Sequence, residues 1–324
     1  MRALRWTAAV AVLFGLSACG AAELVQAPVT ASHAAGCSEP PPLSAPPRRV
    51  VTMDGGAAAI LERLGVADKI VGTAAPDFFA AFTGEERAKL SAIPVLDQGQ
   101  GNAEAVIAAK PDLVVGASGY SFGGFDGTPT VEQLARAGAH SLIACDSGGD
   151  GAVKDVSATT TFIRQVAKVF GVEQRGADLI ARITASVDAA RGNGGEPVRT
   201  LALSGPPAPG QPVSAQGGSG LANGVITLAG GKNIAEDALR DFASLSAEEV
   251  VRRDPQAIVV VSGFAPGSDE DLLAAVRASP VLAGTAAVRE NRFVVVPQSI
   301  LLSPSVLNGD AVAKIAQALR QPAA

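Results

Sequence analysis

Residues 173–191 read EQRGADLIARITASVDAAR, a helical pattern with Ala177, Ile180, Ile183 and then Val187 recurring at helical spacing. Gly171 separates it from a preceding helical pattern, Asp155 to Phe170, with Val156, Ile163, Val166 and Phe170 on one face. Nineteen residues of helix span roughly 28 Å, about one small domain. The run Asn193-Gly194-Gly195-Glu196-Pro197 ends the second helix, and the pattern then restarts. Before the helices, strands are predicted over 49–53, 70–73, 112–116 and 141–144, and helices over 57–64, 102–109 and 131–137. After them come strands at 200–203, 257–261 and 292–296, and helices at 223–228, 246–253, 269–278 and 306–319. Such alternation argues for parallel strands with helical crossovers. The expectation is an α/β chain of two lobes with parallel-rich sheets, residues 48–172 and 193–324, joined by one long interlobe helix over 173–192. About 275 residues is long for one core and suits two.

The N-terminus reads as targeting. Arg2 and Arg5 precede a short apolar core, Ala8 to Leu16, too short for a permanent span. It closes on Leu16-Ser17-Ala18-Cys19, which looks like the site where bacterial lipoproteins are cut and diacylated. Residues 1–18 are then a signal, and a lipid on Cys19 anchors the chain to the outer face of the cell membrane or in the periplasm; two acyl chains hold where one is marginal. The other reading is an ordinary signal cleaved nearby, with Cys19 discarded. Of the three cysteines, Cys19, Cys37 and Cys145, lipidation leaves an even pair. Export favours a Cys37–Cys145 disulfide over two buried free thiols. Residues 19–47, with Pro40-Pro41-Pro42 and Pro46-Pro47, form a linker. The uncharged stretches 200–231 and 293–309 are both broken by Pro, so no second membrane span is expected.

Composition excludes several functions. The net charge is −5 with no basic stretch, which argues against a nucleic-acid partner. Only His33 and His140 are present, which excludes a His-rich site for bare zinc or manganese. Haem iron takes an axial His, Tyr, Met or Cys, and Tyr120 is the attractive candidate here. No nucleophile motif places a His near a Ser or Cys, and Gly217-Gly218-Ser219-Gly220 lacks the Lys-Ser/Thr of a phosphate-binding loop. It reads as a turn before the helix at Asn223. A carrier is expected, without enzymatic activity and without a resident cofactor.

Four stretches carry a family resemblance. They are Arg48-Arg49-Val50-Val51-Thr52-Met53-Asp54-Gly55-Gly56; Asn102-Ala103-Glu104-Ala105-Val106 running on to Lys110-Pro111-Asp112-Leu113-Val114; Leu228-Ala229-Gly230-Gly231-Lys232-Asn233-Ile234; and Ser246-Ala247-Glu248-Glu249-Val250 leading to Asp254-Pro255-Gln256-Ala257-Ile258. In this order and spacing the chain resembles, over about 48–320, the periplasmic binding proteins for iron-siderophores, haem and cobalamin. The resemblance implies two Rossmann-like α/β lobes, a ligand held between them, and an ABC permease with its ATPase as partner. It also implies that Glu104 and Glu248, one per lobe, pair with permease arginines. Each of them could equally serve as a favourable charge at a helix start.

Ligands of parallel sheets lie beyond the C-terminal ends of strands, here 54–56, 77–79, 119–125, 204–210 and 264–267. Asp54, Phe78, Tyr120, Phe122 and Phe125 are the first-lobe candidates. Aromatics are 4% of the chain, so a cluster of them stands out. They could also pack under the glycine-rich loop, and Phe78, Phe79 and Phe82 could form a core cluster. Phe242 resembles an aromatic wall position of the family's second lobe. Arg240 could grip an anionic chelate bidentately or remain a solvated arginine. Cobalamin binders place several Trp and Tyr in the cleft, whereas this chain offers Gly, Ala and Ser and loses Trp6 with the signal. A ferric siderophore is therefore the expected ligand, with haem, cobalamin or a sensor role without import as alternatives.

Overall fold

The structure, a computed structural model, describes residues 41–144, 151–191, 195–264 and 267–320, all within one unit spanning Ala31–Ala324. Cys19, Cys37, Cys145 and His33 lie outside the described residues.

The first lobe alternates strictly: β1 (Val50–Thr52), α1 (Gly55–Arg63), β2 (Ile70–Ala74), α2 (Gly84–Ser91), β3 (Val95–Asp97), α3 (Ala103–Ala108), β4 (Leu113–Gly116), α4 (Val131–Arg136) and β5 (His140–Ile143). Its sheet is parallel throughout, in the order β3-β2-β1-β4-β5. The central strands are fully buried apolar runs, as a parallel sheet covered on both faces requires. Two elements had no sequence signal. Helix α2 is polar and buries only Leu90, and the edge strand β3 is three residues long with Val95 exposed.

Two helices follow, α5 (Ser157–Phe170) and α6 (Glu173–Ala190). Gly171 ends α5 in the left-handed conformation at φ 66°, a position that favours glycine. In α6, Leu179 and Ile183 enter the first lobe's core beside Phe162 and Val166, while Val187 and Ala190 enter the second lobe's core beside Val312 and Ile315. This helix therefore joins the lobes. Its buried face runs Gly176, Leu179, Ile183, Val187, Ala190; Ile183 and Val187 are buried as predicted, whereas in the first turns Gly176 and Leu179 replace Ala177, which is exposed, and Ile180, which is half-buried. The reason is contact with α5, because a Cβ on Gly176 would stand 2.6 Å from that of Ala167.

The second lobe contains β6 (Val198–Leu203), β7 (Val213–Gln216), α7 (Leu221–Leu228), β8 (Gly231–Asn233), β9 (Phe242–Leu245), α8 (Ala247–Arg253), β10 (Ala257–Ser262), α9 (Asp269–Arg277), α10 (Ala286–Arg289), β11 (Phe293–Pro297), α11 (Gln298–Leu301) and α12 (Asn308–Arg320). The sheet order is β11-β10-β6-β7-β9, with β8 beside the start of β6. Strands β11, β10, β6 and β8 are parallel; β7 runs antiparallel to both β6 and β9.

The lobes are tied a second time. The Val153 amide donates to Gly218 O at 2.8 Å, the Asn223 side chain donates to Val153 O at 2.8 Å, and Val156 packs in the second lobe's core. Chain 153–156 thus straps onto α7 before α5 returns to the first lobe. Gly224 permits this, because any Cβ there would stand 2.1 Å from Asp155 O. No helix among the described residues is long and apolar enough to cross a membrane.

Candidate functional site: an aromatic cleft between the lobes

The ends of β1, β2, β3 and β4 face the starts of α7, β9 and α11 across a cleft of about 340 Å³. Asp54 sits at its floor, 5% exposed, as the N-cap of α1. One carboxylate oxygen accepts the Ala57 amide at 2.8 Å and the other the Ala117 amide at 2.6 Å, which ties β1 to the residue beyond β4. Burial pushes its carboxyl above the ordinary aspartate value, against the pull of backbone N–H bonds from Ala117, Ala57 and Gly56. The two glycines that follow are there for close approach. A Cβ on Gly55 would lie 2.5 Å from that of Phe78, and one on Gly56 would lie 3.0 Å from Pro304 O of the other lobe. Phe78 lines the cleft, whereas Phe79 and Phe82 are core residues.

The glycine-rich segment after β4 is a closed loop. Gly124 N–H donates to Tyr120 O at 3.0 Å, and the Thr128 hydroxyl both donates to Phe125 O at 2.7 Å and accepts from Gly123 N–H at 3.1 Å. This presents Tyr120 and Phe125 as a stacked pair, centroids 5.6 Å apart, on the cleft wall. Phe122 turns the other way, its ring against Gly116 beneath the sheet beside the Val51–Met53–Leu134 cluster. The loop's turn points alternate rings to opposite sides, which the aromatic count alone could not show.

From the second lobe come Phe242 at the start of β9 and Phe264 after β10, an edge-to-face pair 6.4 Å apart and each more than 40% exposed. Asp241 beside them accepts the Tyr120 hydroxyl at 3.2 Å, a bond across the cleft between residues 121 apart in sequence. Arg240 is exposed and does not line the cleft. Its backbone carbonyl instead holds the Gly217–Ser219 turn, accepting from Ser219 N–H at 3.3 Å. Segment 204–210 also stays out of the lining, because the antiparallel return into β7 carries it away and Pro207 O is bonded to Ser279. The start of α7, residues 219–222, takes its place. Gln298, which donates to Gly263 O at 2.5 Å, also lines the cleft; the strand-end rule applied to β11 would have found it.

Glu104 and Glu248 lie outside the cleft, exposed, in matching local frames. Each is the second residue of a helix after an edge strand, α3 after β3 and α8 after β9, behind the caps Asn102 and Ser246. The carboxyl of Glu248 is held below the usual glutamate value by its own backbone N–H and by the Ser246 hydroxyl.

Two α/β lobes on one long helix, with an aromatic cleft between their sheet ends, define a substrate-binding protein of the two-lobed type. The periplasmic binding protein family model matches residues 50–300. The chain belongs to that family, in the siderophore, haem and cobalamin type that serves ABC importers. Its members work outside the cytoplasm with an ABC permease and ATPase. Among similar solved structures, the ABC-type Fe3+-hydroxamate transport system protein of Saccharomonospora viridis DSM 43017 is 25% identical, with 86% of this chain and 95% of that one covered at a TM-score of 0.72. The periplasmic haem-binding protein RhuT of Roseiflexus sp. RS-1 is also 25% identical, covering 84% and 97% at 0.65. A periplasmic haem-binding protein of Pseudomonas aeruginosa, 23% identical over 86% and 94% at 0.63, shares the fold. No curated protein sequence matches.

Proposed function

We propose that this protein captures a ferric siderophore in the cleft and delivers it to an ABC permease. The facing aromatic pairs, Tyr120/Phe125 from one lobe and Phe242/Phe264 from the other, carry this reading. Apolar walls with a few polar anchors suit a pre-formed chelate that brings its own metal ligands. No group of three His, Cys, Asp or Glu gathers among the described residues to hold a bare ion. Likeness to a hydroxamate-system protein supports the same class. A haem reading rests on Tyr120, whose phenol reaches into the cleft as an axial ligand would. Native mass spectrometry of protein purified from its own host separates the two. A co-purified iron–siderophore mass is expected; a haem mass, or no ligand together with unimpaired iron uptake in a deletion strain, would refute the siderophore reading.

Within this reading the lobes are residues 48–172 and 193–324, Glu104 and Glu248 dock the permease, and Cys19 carries the lipid. Cys19→Ala is expected to move the protein from the membrane fraction to the soluble exported fraction; retention in the membrane would contradict the anchor. The remaining pair, Cys37 and Cys145, is proposed as a disulfide. Closing a loop of that length stabilises by about 4–5 kcal/mol in the entropic account. Peptide mapping without reductant is expected to recover the linked peptides, and two free thiols would refute the bridge.

A further inference from the structure

We infer that the cleft sorts chelates by charge: it takes neutral or cationic ferric chelates and turns away anionic ones, with Asp241 meeting the ligand's cationic end. The inference rests on the proposed capture of a ferric chelate and narrows its class.

The charge balance of the walls carries it. Among the described residues lining the cleft are Asp54 and Asp241, and none is an arginine, lysine or histidine. Asp54 has both oxygens committed to backbone amides and faces the ligand as a closed floor. Asp241 is half-buried on the aromatic wall, at the hydroxyl of Tyr120. An anion entering such a space gives up water and needs a counter-charge, most often a bidentate arginine. Arg240, the nearest arginine in sequence, lies outside the lining, so an anionic chelate would instead meet a like charge in a partly desolvated setting. The net charge of −5 adds a long-range field of the same sign.

A neutral or cationic trihydroxamate avoids that conflict. Its surface oxygens need donors rather than cations, and the lining includes donor side chains such as Ser118, Ser219 and Gln100. A ligand ammonium near Asp241 adds a charge-assisted bond.

Tyr120 is the single tyrosine of the chain and lies in the cleft, so its emission reports ligand entry. The purified protein is titrated with ferrioxamine B, which carries an ammonium, with neutral ferrichrome, and with ferric enterobactin, a polyanionic triscatecholate. Both hydroxamates are expected to bind at least about tenfold more tightly than ferric enterobactin, a difference of about 1.4 kcal/mol. Asp241→Asn is expected to lower affinity for ferrioxamine B about tenfold more than for ferrichrome. Ferric enterobactin binding as tightly as the hydroxamates, or an unchanged ferrioxamine-to-ferrichrome ratio in Asp241→Asn, would overturn the charge rule while leaving chelate capture standing. Binding of none of the three would overturn chelate capture and the charge rule with it.

Discussion

Replacing Glu104 and Glu248 together by Arg is expected to cut chelate uptake by tenfold or more, while the purified protein keeps its ligand affinity and melting temperature. Both side chains are exposed, outside the cleft, and identically placed behind the N-caps of α3 and α8. An exposed carboxylate at a helix start interacts only weakly with the helix dipole because solvent screens it, so folding should survive its loss. A permease contact behaves differently. Charge pairs across an interface set encounter rate and register, and removing one partner of a buried pair costs about 2–5 kcal/mol. Single Ala variants should lose part of the uptake and the double variant more. A rim contact should matter most at low salt, because exposed charges are screened over about 8–10 Å at physiological ionic strength. Normal transport by both single Ala variants would remove the docking role, and ligand affinity falling in step with transport would move these glutamates into the cleft.

A substantial stability loss is expected from Asp54→Ala. The substitution leaves the Ala57 and Ala117 amides without their acceptor in a fully buried corner. Losing an N-cap costs about 1 kcal/mol and orphaning a buried amide about 1–3 kcal/mol, so about 2–4 kcal/mol in total. For a chain of this size the melting temperature should fall by about 3–7 °C. Asp54→Asn should lose less, since an amide oxygen can serve one of the two donors. The pH response follows from burial. The folded protein holds the Asp54 proton more tightly than the unfolded chain, whose value is near 3.8. That contribution is complete below the unfolded value and is lost as pH rises through the folded one. Asp54→Asn should therefore show a flatter stability profile across that interval. A melting temperature within about 2 °C of wild type for Asp54→Ala would remove the structural role.

What the sequence revealed followed burial. Strands β1, β4 and β10 are legible because they are wholly buried apolar runs. Helix α6 is legible in extent and in the Ile183 and Val187 half of its face, but its first turns pack through Gly176 and Leu179 because Gly176, invisible to a hydropathy pattern, is where α5 makes contact. The elements α2, β3 and β7 are short or polar and have no strong period. In the site, Asp54, Phe78, Tyr120 and Phe125, singled out by the strand-end rule, and Phe242, singled out by the family resemblance, all line the cleft. Asp241 was out of reach because its significance lies in a contact with Tyr120 across both lobes. Its neighbour Arg240 drew attention as the charged group most suited to a chelate, yet β9 places the aspartate and the phenylalanine on the cleft and leaves the arginine outside.

On the proposed function, one ferric chelate sits between the aromatic walls of the two lobes. Anomalous diffraction at the iron edge, from crystals grown with ferrichrome, tests it directly. One iron peak is expected between the Tyr120/Phe125 pair and the Phe242/Phe264 pair, with the metal bound by the chelate's own oxygens. Iron bound directly by protein side chains, or a chelate seated away from this cleft, would rule out chelate capture between these walls.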